Sequence, residues 1–135
     1  MRNPQRMRNV AVIVEDDAEL RGLIVALLEE SGLEIVECES AEAALATMLI
    51  RGQEIAVILS DIRLSGAMDG VDFAREAKMR WPHLTFVLTS GNAGDRLNHL
   101  PPGVIYMPKP WQALEIVRVV EQAQSASEQR TIHGR

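Results

Sequence analysis

Side chains that could carry out chemistry follow four of the apolar runs in this 135-residue chain. They are Glu15, Asp16, Asp17, Asp61, Ser90 and Lys109. Clustered carboxylates repel one another, and a bound cation relieves that repulsion. Because only oxygen ligands are available, the expected cation is a hard one such as Mg²⁺. A carboxylate nucleophile beside Mg²⁺, a lysine and a hydroxyl donor together describe a site that accepts a phosphoryl group on an aspartate.

The apolar pattern predicts five strands that alternate with helices. The predicted strands are 10–14, 34–38, 55–59, 85–90 and 104–107. Apolar residues at helical spacing follow the first three strands and the fifth strand, so a helix is predicted after each of them. The last of these helices is predicted from about Gln112 to Gln124, with Leu114, Val117 and Val120 facing inward. Between the fourth and fifth strands, the prolines and glycines of GNAGDRLNHLPPG leave room for about two helical turns. The pattern therefore favours an α/β, flavodoxin-like (βα)5 sandwich, in which a five-stranded parallel sheet has the order 2-1-3-4-5 and the fourth helix is shortened.

The predicted strand order brings the polar residues together. The carboxyl ends of parallel strands meet at one edge of the sheet, and strands 1, 3, 4 and 5 are neighbours in this order. Each residue by itself has a simpler interpretation: the acids at 15–17 could cap the first helix, Asp61 could form a turn, and Lys109 could lie in solvent. Their convergence on one edge favours a shared site, with helix capping as at most a second role of Asp17.

The predicted strand ends carry four motifs, in the order VIVEDD, LSDIRL, TSG and YMPKPW. Over roughly residues 9–125, the chain resembles the receiver domain of bacterial two-component response regulators. The resemblance implies that Asp61 is phosphorylated by a sensor histidine kinase or a histidine phosphotransfer protein. It also implies that Asp16, Asp61 and the backbone carbonyl of Arg63 bind Mg²⁺ directly, and that Glu15 acts through a water molecule.

The same resemblance assigns further roles. Lys109 and Ser90 match the lysine and the switch hydroxyl that act with the phosphoacceptor, and the Lys109–Pro110 peptide is usually cis in the family. Tyr106 matches the aromatic residue that changes rotamer on phosphorylation, with plain core packing as the alternative. Two features depart from the family pattern: Ser65 replaces a proline in a loop that is about two residues longer than usual, and the fourth helix is short. The second departure indicates output through a surface other than the one around that helix.

These motifs lead to a functional hypothesis. No output domain is expected after the last helix, so the chain is predicted to be a stand-alone, CheY-like response regulator that switches protein–protein interactions. The alternative is a phosphate shuttle or sink in a phosphorelay without conformational output. The chain is expected to assist its own phosphorylation and dephosphorylation rather than act as an enzyme. A metal-dependent phosphatase is disfavoured because Arg63 stands where such enzymes need a second acid, and an unphosphorylated scaffold because Asp61 and Lys109 are both present.

Composition narrows the remaining classes of protein. The net charge of -5 argues against a general nucleic-acid binder. Residues 1–8 are predicted to form a flexible leader, and residues 126–135 are predicted to form a loose tail. The apolar run that follows the leader is too short for a signal peptide or a membrane span. The single Cys38 excludes an internal disulfide and is expected to be a buried thiol in a reducing cytoplasm. The expected state is a monomer or weak dimer that binds an unnamed downstream protein target, with no nucleic acid and no membrane as partners.

Overall fold

The structure of the protein is a computed structural model that describes residues 8–133, with the side chains of residues 8–127. The strands are β1 (Val10–Val14), β2 (Glu34–Cys38), β3 (Ile55–Asp61), β4 (Thr85–Ser90) and β5 (Ile105–Pro108). The α-helices are α1 (Ala18–Leu27), α2 (Ala41–Arg51), α3 (Gly70–Arg80) and α4 (Ala113–His133). A 3₁₀ segment, Gly94–His99, lies between β4 and β5.

The strands form one parallel sheet in the order β2-β1-β3-β4-β5, which confirms the predicted topology. The predicted bounds of β1, β2 and β4 agree with the structure, whereas β3 continues to Asp61. In the sheet, Asp61 pairs with Thr89 of β4, and Ser90 pairs with Pro108 of β5. The last residues of β3, β4 and β5 therefore lie side by side at one edge.

Apolar side chains cover both faces of the sheet. On the face that carries α2 and α3, Phe73 meets Phe86 edge-on, with ring centroids 5.1 Å apart. On the opposite face, Ile24 of α1 and Ile116 of α4 belong to a second buried cluster. Burying each large apolar side chain contributes about 1.5–3 kcal/mol. These two cores fix the positions of the strand ends.

Side-chain caps set where three of the helices begin. Asp17 caps α1 by accepting hydrogen bonds from two amides of its first turn, so the predicted capping role of this residue is confirmed. Ser40 caps α2 in the same way, and Asp69 and Asp72 form a capping box at the start of α3. Each such cap typically contributes about 1 kcal/mol. The caps of α1 and α3 hold these helices beside the carboxyl ends of β1 and β3.

Two predictions about the last helix are wrong. Helix α4 extends to His133, so the tail that was predicted to be loose is helical up to that residue. The extension has a packing reason: Ser127 lies one turn after Ala123, and both are buried on the face that the helix turns to the core. Leu114 is 54% exposed rather than inward, because the buried stripe of α4 begins at Ile116.

Other predictions concern the connection before β5, the thiol and the chain ends. The 3₁₀ segment Gly94–His99 replaces a full fourth helix, and none of its side chains is buried. Cys38 is buried, as predicted. In residues 8–133, no helix is long and apolar enough to cross a lipid bilayer. The predicted flexible leader lies outside the described residues except for its last residue, and so do residues 134–135.

Candidate functional site

Asp61 ends β3 at the carboxyl edge of the sheet, and its side chain is only 11% exposed. Its Oδ1 accepts a hydrogen bond from the backbone N–H of Arg63 (3.2 Å), and its Oδ2 accepts one from Nζ of Lys109 (3.0 Å). Behind it, the N–H of Gly70 donates to the carbonyl of Ile62 (2.8 Å), which holds the start of α3 against the strand end. Each carboxylate oxygen has one donor, so each keeps a lone pair for a further partner.

Lys109 reaches Asp61 from the end of β5. The Lys109–Pro110 peptide is cis, as the resemblance implies, and the backbone N–H of Lys109 donates to the carbonyl of Ser90 (2.9 Å). Its Nζ also lies 3.5 Å from Oε1 of Glu15. Burial alone would lower the pKa of Lys109, but the contacts with Asp61 and Glu15 outweigh burial and raise that pKa. The lysine therefore carries its positive charge beside the acids.

The three acids that follow β1 have different environments. Glu15 is buried, and its Oε2 accepts a hydrogen bond from the backbone N–H of Asp17 (3.1 Å). Burial raises the pKa of Glu15 against the opposing effect of that hydrogen bond, and the negative charges of Asp61 and Asp16 act in the same direction as burial. Asp16 is exposed and lines a cleft, whereas Asp17 uses its side chain to cap α1. Asp16 is thus the acid of this group that is open to a ligand from solvent.

Ser90 and Tyr106 are connected through one backbone carbonyl. Ser90 is 2% exposed, and its Oγ accepts a hydrogen bond from the backbone N–H of Asn92 (3.1 Å). The Tyr106 hydroxyl donates to the Ser90 carbonyl (3.3 Å), which is the carbonyl that also accepts from the Lys109 N–H. The ring of Tyr106 packs against the core on the face of α2 and α3. The Ser90 carbonyl is therefore an acceptor that Tyr106 and Lys109 share.

A cleft of about 490 Å³ lies between the loop after β3 and the loop after β4. Asp16 lines it on one side, and Arg63, Ser65, Asn92 and Arg96 are among its other walls. Nε of Arg63 donates to the carbonyl of Asn92 (3.3 Å) and so connects the two loops. Asp16 and Asp69 line the cleft together with Arg63 and Arg96, and Arg96 is paired with Asp69, so the charges of its lining balance in sign.

A match to a family model identifies the family of this chain. The family model described as the response regulator receiver domain matches residues 11–121. This chain belongs to the response regulator receiver domain family. Phosphorylation of an aspartate and binding of Mg²⁺ are general features of this family, which acts in two-component signalling.

Curated relatives of this receiver domain are longer proteins. The chain is 30% identical over 119 residues to the DNA-binding transcriptional regulator NtrC of Klebsiella pneumoniae, covering 86% of this chain and 25% of that protein. It is 35% identical over 111 residues to the transcriptional regulatory protein AruR of Pseudomonas aeruginosa, covering 78% of this chain and 45% of that protein. The chain thus spans between a quarter and a half of the length of these relatives.

Solved structures share the fold. The receiver domain of NtrX from Brucella abortus is 28% identical with a TM-score of 0.74, and the match covers 85% of this chain and 98% of that one. A receiver domain protein from Clostridium thermocellum has a TM-score of 0.79 at 23% identity, covering 89% and 97% of the two chains, and this second likeness concerns the fold alone. Both agree with the five-stranded architecture described above.

The donor atoms of this receiver domain fit Mg²⁺. The carboxylates of Asp16 and Asp61 and the backbone carbonyl of Arg63 are all oxygen donors, and Mg²⁺ commonly takes one or two carboxylates with waters and phosphate oxygens. Among the described residues, no three acidic, histidine or cysteine side chains form a metal-binding group. Two carboxylates and a carbonyl are therefore the donor set that we expect here, and this ligand assignment stays a prediction, as does the role of Glu15 through water.

Three contacts around the site were not predicted from the sequence. Arg21 of α1 donates through Nη1 to the carbonyl of Glu15 (2.6 Å), and Glu42 of α2 accepts hydrogen bonds from two amides of the loop after β3. Arg96 forms an ion pair with Asp69, the cap of α3. The pattern DGVD before an apolar helix is a capping signal that could have located Asp69. The contacts of Glu42 join residues 25 and 26 positions apart, for which one sequence carries no signal.

Proposed function

We propose that Asp61 of this receiver domain accepts a phosphoryl group from the phosphohistidine of a sensor histidine kinase or a histidine phosphotransfer protein. The phosphorylated chain would then bind a downstream protein target differently from the unphosphorylated chain. The observation that carries this proposal is the 3.0 Å contact between Lys109 Nζ and Asp61 Oδ2, at the end of β3 and directly before Ile62, which lines the cleft. The match to the receiver domain family over residues 11–121 supports it.

The transfer is a substitution at phosphorus. An oxygen of Asp61 forms a bond to phosphorus while the phosphorus–nitrogen bond of the donor breaks, and the imidazole nitrogen keeps the electron pair of that bond. The Arg63 N–H fixes the orientation of the carboxylate, and Lys109 places positive charge where the phosphoryl oxygens arrive. Asp16, Asp61 and the Arg63 carbonyl would hold Mg²⁺, which supplies further positive charge for those oxygens when it is bound.

Ser90 and Tyr106 would carry the response. Ser90 Oγ accepts the Asn92 N–H in this structure, so its own hydrogen is available to donate to a phosphoryl oxygen. If Ser90 moves toward Asp61, its carbonyl moves as well, and the Tyr106 hydroxyl bonded to that carbonyl must follow or release it. Such a change is a shift between two populations, biased by the new charge on Asp61.

Incubation with acetyl phosphate and Mg²⁺, followed by intact-protein mass spectrometry, tests the proposal. We expect one added phosphoryl mass on the wild-type chain with no partner protein present, because the domain assists its own phosphorylation. The Asp61→Ala variant should gain none, and Asp95→Ala, which alters an exposed acid of the 3₁₀ segment, should react like wild type. Lys109→Gln should react about 100-fold more slowly, as when one charge-stabilising donor is removed. Labelling of Asp61→Ala would refute the assignment of the acceptor.

A phosphate shuttle uses the same acceptor without a conformational response. It is distinguished by the fate of the phosphoryl group: rapid return to a histidine phosphotransfer protein, with unchanged binding to other proteins, indicates a shuttle. Binding measured with and without beryllofluoride, which mimics the phosphoryl group, separates the two functions. Differential binding supports the switch.

We further propose a cytoplasmic location and a monomer or weak dimer as the working state. The buried thiol of Cys38, the chain's one cysteine, supports a reducing compartment. Light scattering with and without beryllofluoride tests the oligomeric state, and a stable dimer under both conditions would contradict it.

A further inference from the structure

Ion pairs and hydrogen bonds, rather than buried side chains, attach the 3₁₀ segment Gly94–His99 to the rest of the domain. None of its side chains is buried, but Arg96 binds the start of α3 through three contacts. Nε and Nη2 of Arg96 donate to the two carboxylate oxygens of Asp69 (2.9 and 3.0 Å), and Nη2 also donates to Oδ1 of Asp72 (3.0 Å). A two-pronged contact of this kind uses the planar guanidinium, and a lysine could not reproduce it.

A second arginine strengthens the same attachment. Arg75 of α3 donates from Nη2 to the backbone carbonyl of His99 (3.0 Å), at the other end of the segment. The segment is therefore attached to α3 at its third residue, Arg96, and at its last residue, His99. We call Arg96, Asp69 and Asp72 the latch.

The latch connects two parts of the chain that border the acceptor. On one side, Asp69 caps α3, and Gly70 follows it so closely against β3 that a Cβ on Gly70 would lie 2.2 Å from the carbonyl oxygen of Asp61. On the other side, Arg96 belongs to the stretch of chain that begins at Ser90. A movement of Ser90 toward Asp61 must therefore displace the segment relative to α3 or bend the few residues between them.

We propose that Arg96 is a positioning residue whose ion pair with Asp69 opposes the movement of Ser90 toward a phosphorylated Asp61. The consequence for phosphorylation rests on the function proposed above, whereas the holding of the segment does not. In the unphosphorylated chain the latch keeps Ser90 engaged with its own loop, through the Asn92 N–H. A 3₁₀ segment takes the place of a packed fourth helix in this chain. The ion pair between Arg96 and Asp69 therefore sets how readily the acceptor site adopts its phosphorylated arrangement.

Hydrogen exchange on the unphosphorylated protein tests whether the latch holds the segment. In Arg96→Gln, peptides covering 91–99 should exchange about fivefold faster, the change that corresponds to losing about 1 kcal/mol of a partly exposed ion pair. Asp69→Asn should act similarly, and it keeps an N-cap oxygen, so α3 remains capped. Arg80→Gln is the matched control, because it removes a 2.9 Å ion pair with Glu76 that lies entirely within α3. Unchanged exchange in Arg96→Gln would overturn the proposal.

Calorimetric titration with beryllofluoride and Mg²⁺ tests the coupling to the acceptor. Releasing the latch raises the fraction of chains in the competent arrangement, so Arg96→Gln should bind beryllofluoride about two- to fivefold more tightly than wild type. High salt should reduce that difference, because it screens the ion pair in the wild-type chain. Faster exchange with unchanged or weaker beryllofluoride binding would overturn the coupling. If wild type and Asp61→Asn bind beryllofluoride equally, the proposed function fails instead, and the exchange measurement still decides whether Arg96 holds the segment.

Discussion

Gly70→Ala is the substitution for which the structure makes the sharpest prediction. A Cβ at this position would lie 2.2 Å from the carbonyl oxygen of Asp61, 2.7 Å from Cα of Ile62 and 2.9 Å from Cδ2 of Leu88. Two of these three atoms belong to the backbone, so a change of side-chain rotamer cannot relieve the overlap. The start of α3 and the end of β3 must separate by about 1 Å to restore ordinary contact.

The cost of that separation can be estimated from its parts. Overpacking a well-packed site typically costs about 1–3 kcal/mol. The Gly70 N–H also donates to the Ile62 carbonyl at 2.8 Å, and stretching this hydrogen bond adds up to about 1 kcal/mol. Replacing glycine by alanine in a helix stabilises the helix by about 0.5–1 kcal/mol, which offsets part of this cost. The central values of these contributions sum to an expected loss of about 2 kcal/mol in the free energy of unfolding, which leaves a typical domain folded.

Urea unfolding measures this loss, and Gly22→Ala provides the control. Gly22 lies inside α1 with open space around its Cβ position, so the same substitution should stabilise the chain by about 0.5–1 kcal/mol. With a slope of about 1–3 kcal/mol per molar urea, the midpoint should fall by about 1 M or more in Gly70→Ala and rise in Gly22→Ala. A Gly70→Ala midpoint equal to or above that of wild type would refute the close contact between α3 and the acceptor strand.

Three further predictions concern single side chains. Burial raises the pKa of Asp69, but the hydrogen bonds from Arg96 and the Asp72 amide outweigh burial and bring the pKa below its ordinary 3.8. The contribution of Asp69 to stability is thus present above pH 3.8 and is lost as the pH falls through the folded-state pKa. An NMR titration of the carboxyl group should show the low pKa of Asp69 in the wild-type chain. In Arg96→Gln, the pKa of Asp69 should be higher. Glu42→Ala should speed amide exchange in the loop after β3, because Glu42 accepts hydrogen bonds from two amides of that loop. Glu42→Gln keeps an acceptor oxygen and should change the exchange rates less. Equal exchange rates in wild type and both variants would contradict the role of Glu42. Burial raises the pKa of the Cys38 thiol, so iodoacetamide should alkylate it at least about tenfold more slowly in the folded than in the urea-unfolded chain, and equal rates would show that the thiol is accessible.

The sheet was predictable because each strand contains a short apolar run, although β3 and β5 each end later than that run predicts. Strands β1 and β3 are buried on both faces, so they appear as continuous apolar runs that stop at charged or polar residues. The strand order places Asp61, Ser90 and Lys109, which lie at the ends of β3, β4 and β5, at one edge of the sheet. The structure places Lys109 Nζ in contact with both Asp61 and Glu15, which is the geometry that the clustering of residue types indicated.

The details that were missed depend on packing rather than on local pattern. In α4, a stripe through Leu114 and a stripe through Ile116 both have helical spacing, and only contact with the sheet selects Ile116. The end of the same helix contains small and polar residues that favour a helix without showing an apolar period. The ion pair of Arg96 with Asp69 joins residues 27 positions apart, and a pair of that kind leaves no trace in a single sequence.

The proposed coupling between Asp61 and Tyr106 would pass through few bonds, one of them the ion pair of Lys109 with Asp61. Lys109 binds Asp61 through Nζ and Ser90 through its backbone N–H, and the Ser90 carbonyl also accepts the hydroxyl of Tyr106. A neutral hydrogen bond contributes a net of about 0.5–1.5 kcal/mol, so two arrangements that differ by one or two such bonds lie close in free energy. Phosphorylation of Asp61 would replace the single negative charge of its carboxylate by nearly two on the phosphoryl group, next to Lys109, where burial strengthens electrostatic interactions. Because the charge would enter at one end of this chain of contacts and Tyr106 lies at the other, a modest electrostatic preference would be enough to produce the proposed shift in population.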